Sequence, residues 1–374
     1  MTRQEYILIC VTGLTPQVVT ETLYALATAP DDTGEDTLPA AIHVLSTRRG
    51  KDIIESSLLG EAGQFAKLCG DYGWNPAAIA FDVDHVHVIR DANGRELDDI
   101  RDARDNAVAA DFITQFIRRA TSGSARLHVS LAGGRKTMGY FVGYALSLYG
   151  RPDDRLSHVL VNAPFESQRE FFYPPPEPIE LSRNDGSHVS TADARVSLAH
   201  IPFVRLREGL DTGLLEGELS FSEAVAQAQQ LLDPAQLRID LMHRAVFLQG
   251  HPVRLSDTNF LWLSWFADRA GRGLPPLVFD DDAAQDLLRV ATWLEGTGAS
   301  ALRTSIEEAQ AELARGEKHY FERNRTRLNK ALREHSDLCD SAAARYAIQS
   351  FGRRPHTCYG LDLPTHAIVV EGEP

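Results

Sequence analysis

The chain has 374 residues, 43% of them hydrophobic and 24% charged, and a formal net charge of −14. That is ordinary globular composition with length for two or three domains, and the acidic balance disfavours general, salt-driven attraction to nucleic acid while leaving room for a small anion in a locally positive pocket. No apolar run approaches the roughly 18 residues of a membrane span, and Cys10, Cys69, Cys339 and Cys358 are scattered without CxxC spacing, so a cytoplasmic chain with no membrane partner, no zinc site and no disulfide framework is expected.

Residues 5–11 read as the first strand. The following Thr12-Gly13-Leu14-Thr15-Pro16-Gln17 is a turn into a helix, with Thr15 as N-cap and Pro16 at the first helical position. An acidic, solvated loop is expected at 31–36, a second strand at 41–45, then Ser46-Thr47-Arg48-Arg49-Gly50, a helix over 51–68 and a third strand over 78–89. Asp82, Asp84, His85 and His87 fall in that strand, where the period of two puts aspartates and histidines on opposite faces and argues against a shared metal. A helix over 98–120 leads to the most informative stretch.

In RLHVSLAGGRKTMGYFVGYALSLYG, residues 126–150, Leu127, Val129 and Leu131 alternate as a strand does, while Met138, Phe141, Val142, Ala145, Leu146 and Leu148 recur at helical spacing. Gly133 and Gly134 let a ligand approach the main chain between them. Free amides of the helix start, with Arg135 and Lys136, make an anion the natural guest. The spacing fits neither a nucleoside-triphosphatase loop nor a dinucleotide fingerprint, so neither ATP hydrolysis nor NAD follows, and no cofactor is expected. A further strand over 155–162 ends at Asn162. Strands separated by helices of this length make a mostly parallel, doubly wound sheet, whose loops after the first, second and GGRK strands open at one edge.

Three spans are expected: a nucleotide-binding-like α/β domain at 1–179, a connecting region at 180–236, and a smaller α+β domain at 237–374. In the last, Ala245-Val246-Phe247-Leu248 and Val253-Arg254-Leu255 flank a tight turn, and Ser256 or Asp257 caps a helix rich in Leu261, Trp262, Leu263, Trp265 and Phe266. A later helix carries Arg323, Arg325, Arg327, Lys330 and Arg333, followed by strand, loop (352–356) and strand. This is the plan of a winged helix. Glu322, Glu334, Asp337 and Asp340 partly balance the basic run, so DNA is an alternative partner and not the favoured one. Arg244 and His251 match a loose HEPN-type RNase spacing, but in a hairpin and not on a long helix.

The stretches VTGLTPQVVTETLYAL and HVSLAGGRKTMGYFVGYALSLYG resemble the two signature stretches of CARF domains, the Rossmann-like sensors of type III CRISPR systems. IPFVRLR at 201–207 extends the likeness over roughly the first 210 residues, and the family it resembles is described as CRISPR-associated ring nucleases. The resemblance implies a Rossmann-like CARF domain, and the winged-helix-like domain that follows it is read from pattern alone. It also implies a homodimer that binds a cyclic oligoadenylate, tetra-adenylate before hexa-adenylate, and cleaves it without a metal. Lys136 would stabilise charge, and Thr12 or Thr15 would orient the ribose or phosphate, where family members often carry a serine. Gly13, Leu14, Gln17, Thr47, Ser130, Gly133, Gly134, Arg135, Thr137, Met138 and Asn162 complete the expected ligand site. The rival readings are a non-cleaving CARF sensor that controls DNA or a protein partner, and a messenger-activated RNase.

Overall fold

The computed structural model describes residues 5–28, 38–183, 185–210, 212–217, 219–277, 281–295, 307–308, 311–312, 315, 319–352 and 357–372. The acidic loop expected at 31–36 and most of the loop expected at 352–356 lie outside the described residues. The chain divides into two compact units, Met1–Ala224 and Val225–Pro374.

The first unit is built on β1 (Tyr6–Val11), α1 (Gln17–Thr28), β2 (Ala41–Ser46), α2 (Arg48–Ser57), α3 (Gln64–Asp71), β3 (Val86–Val88), α4 (Ala103–Thr121), β4 (Arg126–Ser130), α5 (Lys136–Tyr149) and β5 (Arg155–Val161). A small hairpin of β6 (Glu180–Ser182) and β7 (His188–Ser190) follows, then β8 (Val196–His200) and α6 (Thr212–Glu216), and the boundary between the units falls within α7 (Phe221–Leu232). Six strands form one sheet in the order β3-β2-β1-β4-β5-β8, parallel except for β8, which runs antiparallel to β5. Strands covered on both faces must be apolar at successive positions. Leu8, Ile9, Cys10 and Val11 are all fully buried. Leu8 and Cys10 share a core with Val19 and Leu23 of α1 and Phe65 and Leu68 of α3, while α4 and α5 pack on each other and onto β4 and β1.

This strand order has a consequence for ligands. The chain steps from β1 outward to β2 and β3, then returns past β1 to β4 and β5, so the order reverses between β1 and β4. The carboxyl ends of strands at such a reversal are the usual ligand position in open α/β sheets.

Several elements differ from expectation for local reasons. Residues 78–89 are not one strand: Asp82 accepts a hydrogen bond from the Asp84 amide and pairs with His85, folding Val83–His85 into a tight helical turn before the short β3. Asp82 and His85 therefore meet at 2.7 Å, and the alternation argument does not apply to them. The helix expected over 51–68 is two helices, because the chain turns through Gly60 at φ 83° and restarts at Gly63. The helix expected from 98 begins at Ala103, where Asp102 accepts from the Asp105 amide and Arg118 and Arg119 complement the dipole in the last turn.

In the second unit, β9 (Leu237–Asp240), β10 (Ala245–Leu248), β11 (His251–Val253) and β14 (Ile368–Glu371) form a four-stranded sheet, β11-β10-β9-β14, with β14 parallel to β9. Gln249 and Gly250 both take positive φ, 49° and 83°, which suits the right-handed twist of a two-residue hairpin turn. The helix α8 (Asp257–Gly271) is capped by Ser256 and buries every residue from Phe260 to Ala267. Being apolar on all sides it forms the centre of this core, with Trp262 against Trp265 and Phe321. Around it lie α9 (Asp281–Glu295), α10 (His319–Glu334), α11 (Asp340–Ala344) and a hairpin of β12 (Ile348–Phe351) with β13 (Cys358–Leu361).

Candidate functional site

The turns after β1, β2 and β4 meet at the carboxyl edge of the sheet. A Cβ built on Gly13 would lie 3.4 Å from Gly134 Cα, so the first and third turns are in van der Waals contact. A Cβ on Gly50, in the first turn of α2, would lie 2.6 Å from the Gly13 carbonyl oxygen and would collide with Ser46 Oγ. Ser46 Oγ itself donates to the Thr12 carbonyl at 2.7 Å, and the Thr12 amide donates to Leu45 O. Three helix starts are thereby gathered around Gly13, each with amides that its own helix cannot satisfy. Gly133 and Gly134, at φ 102° and 72°, adopt the left-handed conformation that lets the third turn pass this closely.

The cations of the turn are not equivalent. Arg135, the N-cap residue of α5, donates two hydrogen bonds to Asp99, from Nη2 at 2.7 Å and from Nε at 3.3 Å. That guanidinium holds the Asp99 carboxyl below its ordinary value, against the opposing effect of burial. Lys136 is exposed and has no ion pair or hydrogen bond among the described residues. Arg49, in the first turn of α2, is likewise exposed and unpaired, whereas its neighbour Arg48 is drawn to Glu96 at 2.6 Å. Sequence reasoning missed Arg49, Gly50 and Asp99. The cationic Arg48-Arg49-Gly50 after a strand was the available signal for the first two, and nothing local signals the third.

The expected residues fall into two groups. Leu14, Thr15, Arg135, Lys136 and Thr137 are exposed at this edge, with Gly13, Gly133 and Gly134 forming its floor. Thr15 does not cap α1: its side chain makes no hydrogen bond among the described residues, and the helix starts at Gln17. Thr12 is fully buried, its hydroxyl donating to the Thr15 carbonyl at 2.7 Å. Ser130 is buried against Thr22 at 3.2 Å, and Met138 lies beneath the turn with its sulfur near Gly134. Thr47 accepts from the Gly50 amide at 3.4 Å and caps α2. Gln17 reaches the Arg169 carbonyl at 2.8 Å, and the Asn162 side chain is occupied by the Arg195 amide and the Asp193 carbonyl.

The same unit has other chemistry-bearing groups. At the amino edge of the sheet a cleft of 1220 Å³ is lined by Tyr6, Arg126, His128, Arg155, His200 and Phe203 among others. Arg155 is bonded there to Pro152 O, and His128 to Ser157 at 2.7 Å. His43 and His87 share a 2.8 Å hydrogen bond between β2 and β3. Among the described residues no group of three or more His, Cys, Asp or Glu is placed to hold a metal ion, and no helix is long and apolar enough to cross a membrane. In the second unit Arg244 pairs with Asp257 at 3.0 Å and donates to Leu294 O, which gives it a structural use in the hairpin.

The sequence profile of a family described as CRISPR-associated protein NE0113 matches residues 15–234, more than half of the chain. The chain belongs to this family. The matched span in this CRISPR-associated NE0113 chain begins in the first turn, takes in the loop after β2 and the GGRK turn, and ends at Pro234 beyond α7. No curated protein matches the chain.

Proposed function

We propose that the first unit is a Rossmann-like CARF domain that binds a cyclic oligoadenylate between two copies of the chain and cleaves it. The observation that carries this reading is the contact of the two glycine turns at the strand-order reversal, with Lys136 beside them exposed and unpaired among the described residues. Membership of a CRISPR-associated family supports the setting, type III CRISPR signalling, which cleavage of the messenger would switch off. A ring of four or of six phosphates has two-fold symmetry, so each half presents equivalent phosphates to equivalent turns of a dimer; tetra-adenylate is placed before hexa-adenylate on the family resemblance alone.

Cleavage needs no water. A ribose 2′-oxygen attacks the adjacent phosphorus, the bond to the 5′-oxygen breaks, and the proton lost by the 2′-hydroxyl ends on the departing 5′-oxygen. The product is linear, with a 2′,3′-cyclic phosphate at one end and a 5′-hydroxyl at the other. Lys136 and the amides of the α5 start stabilise the charge that grows on the non-bridging oxygens. Of the two first-turn threonines, Thr15 has the free, exposed hydroxyl that can orient the ribose, and Thr12 holds the turn's shape from inside. The test is incubation with cyclic tetra-adenylate and hexa-adenylate in EDTA, products resolved by chromatography. Linear species lost with Lys136→Ala support the reading; bound but intact rings refute cleavage.

A second reading is a non-cleaving sensor whose winged-helix-like second domain, proposed at 237–374 after a connecting region at 180–236, controls DNA. Arg327 and Arg333 on α10, exposed and unpaired among the described residues, favour it. Lys330 is balanced by Glu334 and Arg325 by Glu322, which reduces that face's attraction for phosphate.

A further inference from the structure

Two large apolar side chains beside the turns are exposed: Leu14 at 58% and Tyr140 at 60%. Tyr140 follows Lys136 by four residues on α5, so the two share a face and lie about 6 Å apart along the axis. The tyrosine ring is held from behind. It meets Phe141 and Phe221 edge-on, at 5.9 and 6.5 Å between centroids, and leans on Tyr144 at 5.8 Å. Phe221 is itself anchored, its amide donating to Asp111 at 2.7 Å. An aromatic ring packed on one side and open on the other is already ordered before anything binds to it, so a partner would meet little entropic cost there.

We propose that Tyr140 is a base-stacking residue of the ligand site. The inference rests on the oligoadenylate reading given above. With a phosphate at the Gly134–Lys136 turn, the step along α5 to Tyr140 is comparable to the span from a nucleotide's phosphate to its own base. The adenine then lies on the open face of the ring. Because every base has a π face, Tyr140 contributes affinity for a nucleotide over a bare phosphate without selecting adenine among purines.

The experiment measures binding of cyclic tetra-adenylate, and of the same ring carrying one 2-aminopurine, to wild type, Tyr140→Phe, Tyr140→Leu and Lys136→Ala, with oligomeric state followed by light scattering. Stacking predicts that Tyr140→Leu weakens binding by between about 5-fold and 100-fold and abolishes the 2-aminopurine quenching on binding, while Tyr140→Phe keeps both. Wild-type affinity and quenching in Tyr140→Leu, alongside loss of binding in Lys136→Ala, overturn this inference and leave the site standing. Weakened binding that accompanies dissociation into monomers also overturns it, and makes this face a subunit contact. A wild-type protein that binds no ring overturns the oligoadenylate reading itself.

Discussion

Asp99 and Arg135, 36 residues apart, are joined by two hydrogen bonds, so that of the adjacent cations in the GGRK turn one is neutralised and the other is free. Lys136 is therefore expected to dominate. Arg135→Ala should cost about 10-fold less ring affinity than Lys136→Ala, since Arg135 would have to give up its two charge-assisted bonds to Asp99 to meet a ligand. Isothermal titration of both variants checks this, and equal losses would show that Arg135 leaves Asp99 for the ligand.

Gly50 carries the closest approach in the site. Its missing Cβ makes room for Ser46 Oγ and the Gly13 carbonyl, neither of which can retreat without breaking the 2.7 Å bond from Ser46 to Thr12. Gly50→Ala should destabilise the first unit by about 1–3 kcal/mol, as overpacking does, and displace the first turn. Thermal unfolding reads the first effect and ring binding the second.

Glu21 is buried in α1 and makes no hydrogen bond among the described residues, and burial pushes its carboxyl up to about 7 from 4.5. The folded state then binds more protons than the unfolded one between those values, so this group's contribution falls as pH rises from about 4.5 to 7 and is flat above. Glu21→Gln should remove that slope and raise Tm at pH 8 by about 2–6 °C. An unchanged pH profile of Tm would rule it out.

The His43–His87 pair acts with the opposite sign. Burial, followed by the charges of His43, His85, Lys51 and Arg90, lowers His87 from 6.5 to about 4, and burial with His85 lowers His43. Here the unfolded chain binds the extra protons, so stability is retained above about 6.5 and lost as pH falls towards 4. His87→Phe, placed beside Phe116, should flatten this loss, as measured by urea unfolding at pH 5 against pH 7.

Much of the architecture was legible because its signals are local. The apolar run of 6–11, the alternation in 126–130, the helical period of 138–148, the glycines at 133 and 134 and the Gln249-Gly250 turn each act within a few residues of chain. The third strand was misjudged where a side chain competed with the backbone: Asp82 captures the Asp84 amide, which no periodicity reveals.

The residue chemistry of the site, two glycine turns at helix starts with cations on the second, was determined by the sequence alone, since conformational freedom and charge belong to the residues themselves. Which of those residues are available was decided only by tertiary structure. Burial told the two threonines apart, Asp99 arrived from another loop to occupy Arg135, Asp193 and Arg195 ahead of β8 occupied Asn162, and Gly50 proved to be the neighbour of Gly13. These are contacts between segments distant in the chain, and a hydrogen bond or a burial that depends on a remote partner leaves no mark on the residues around it.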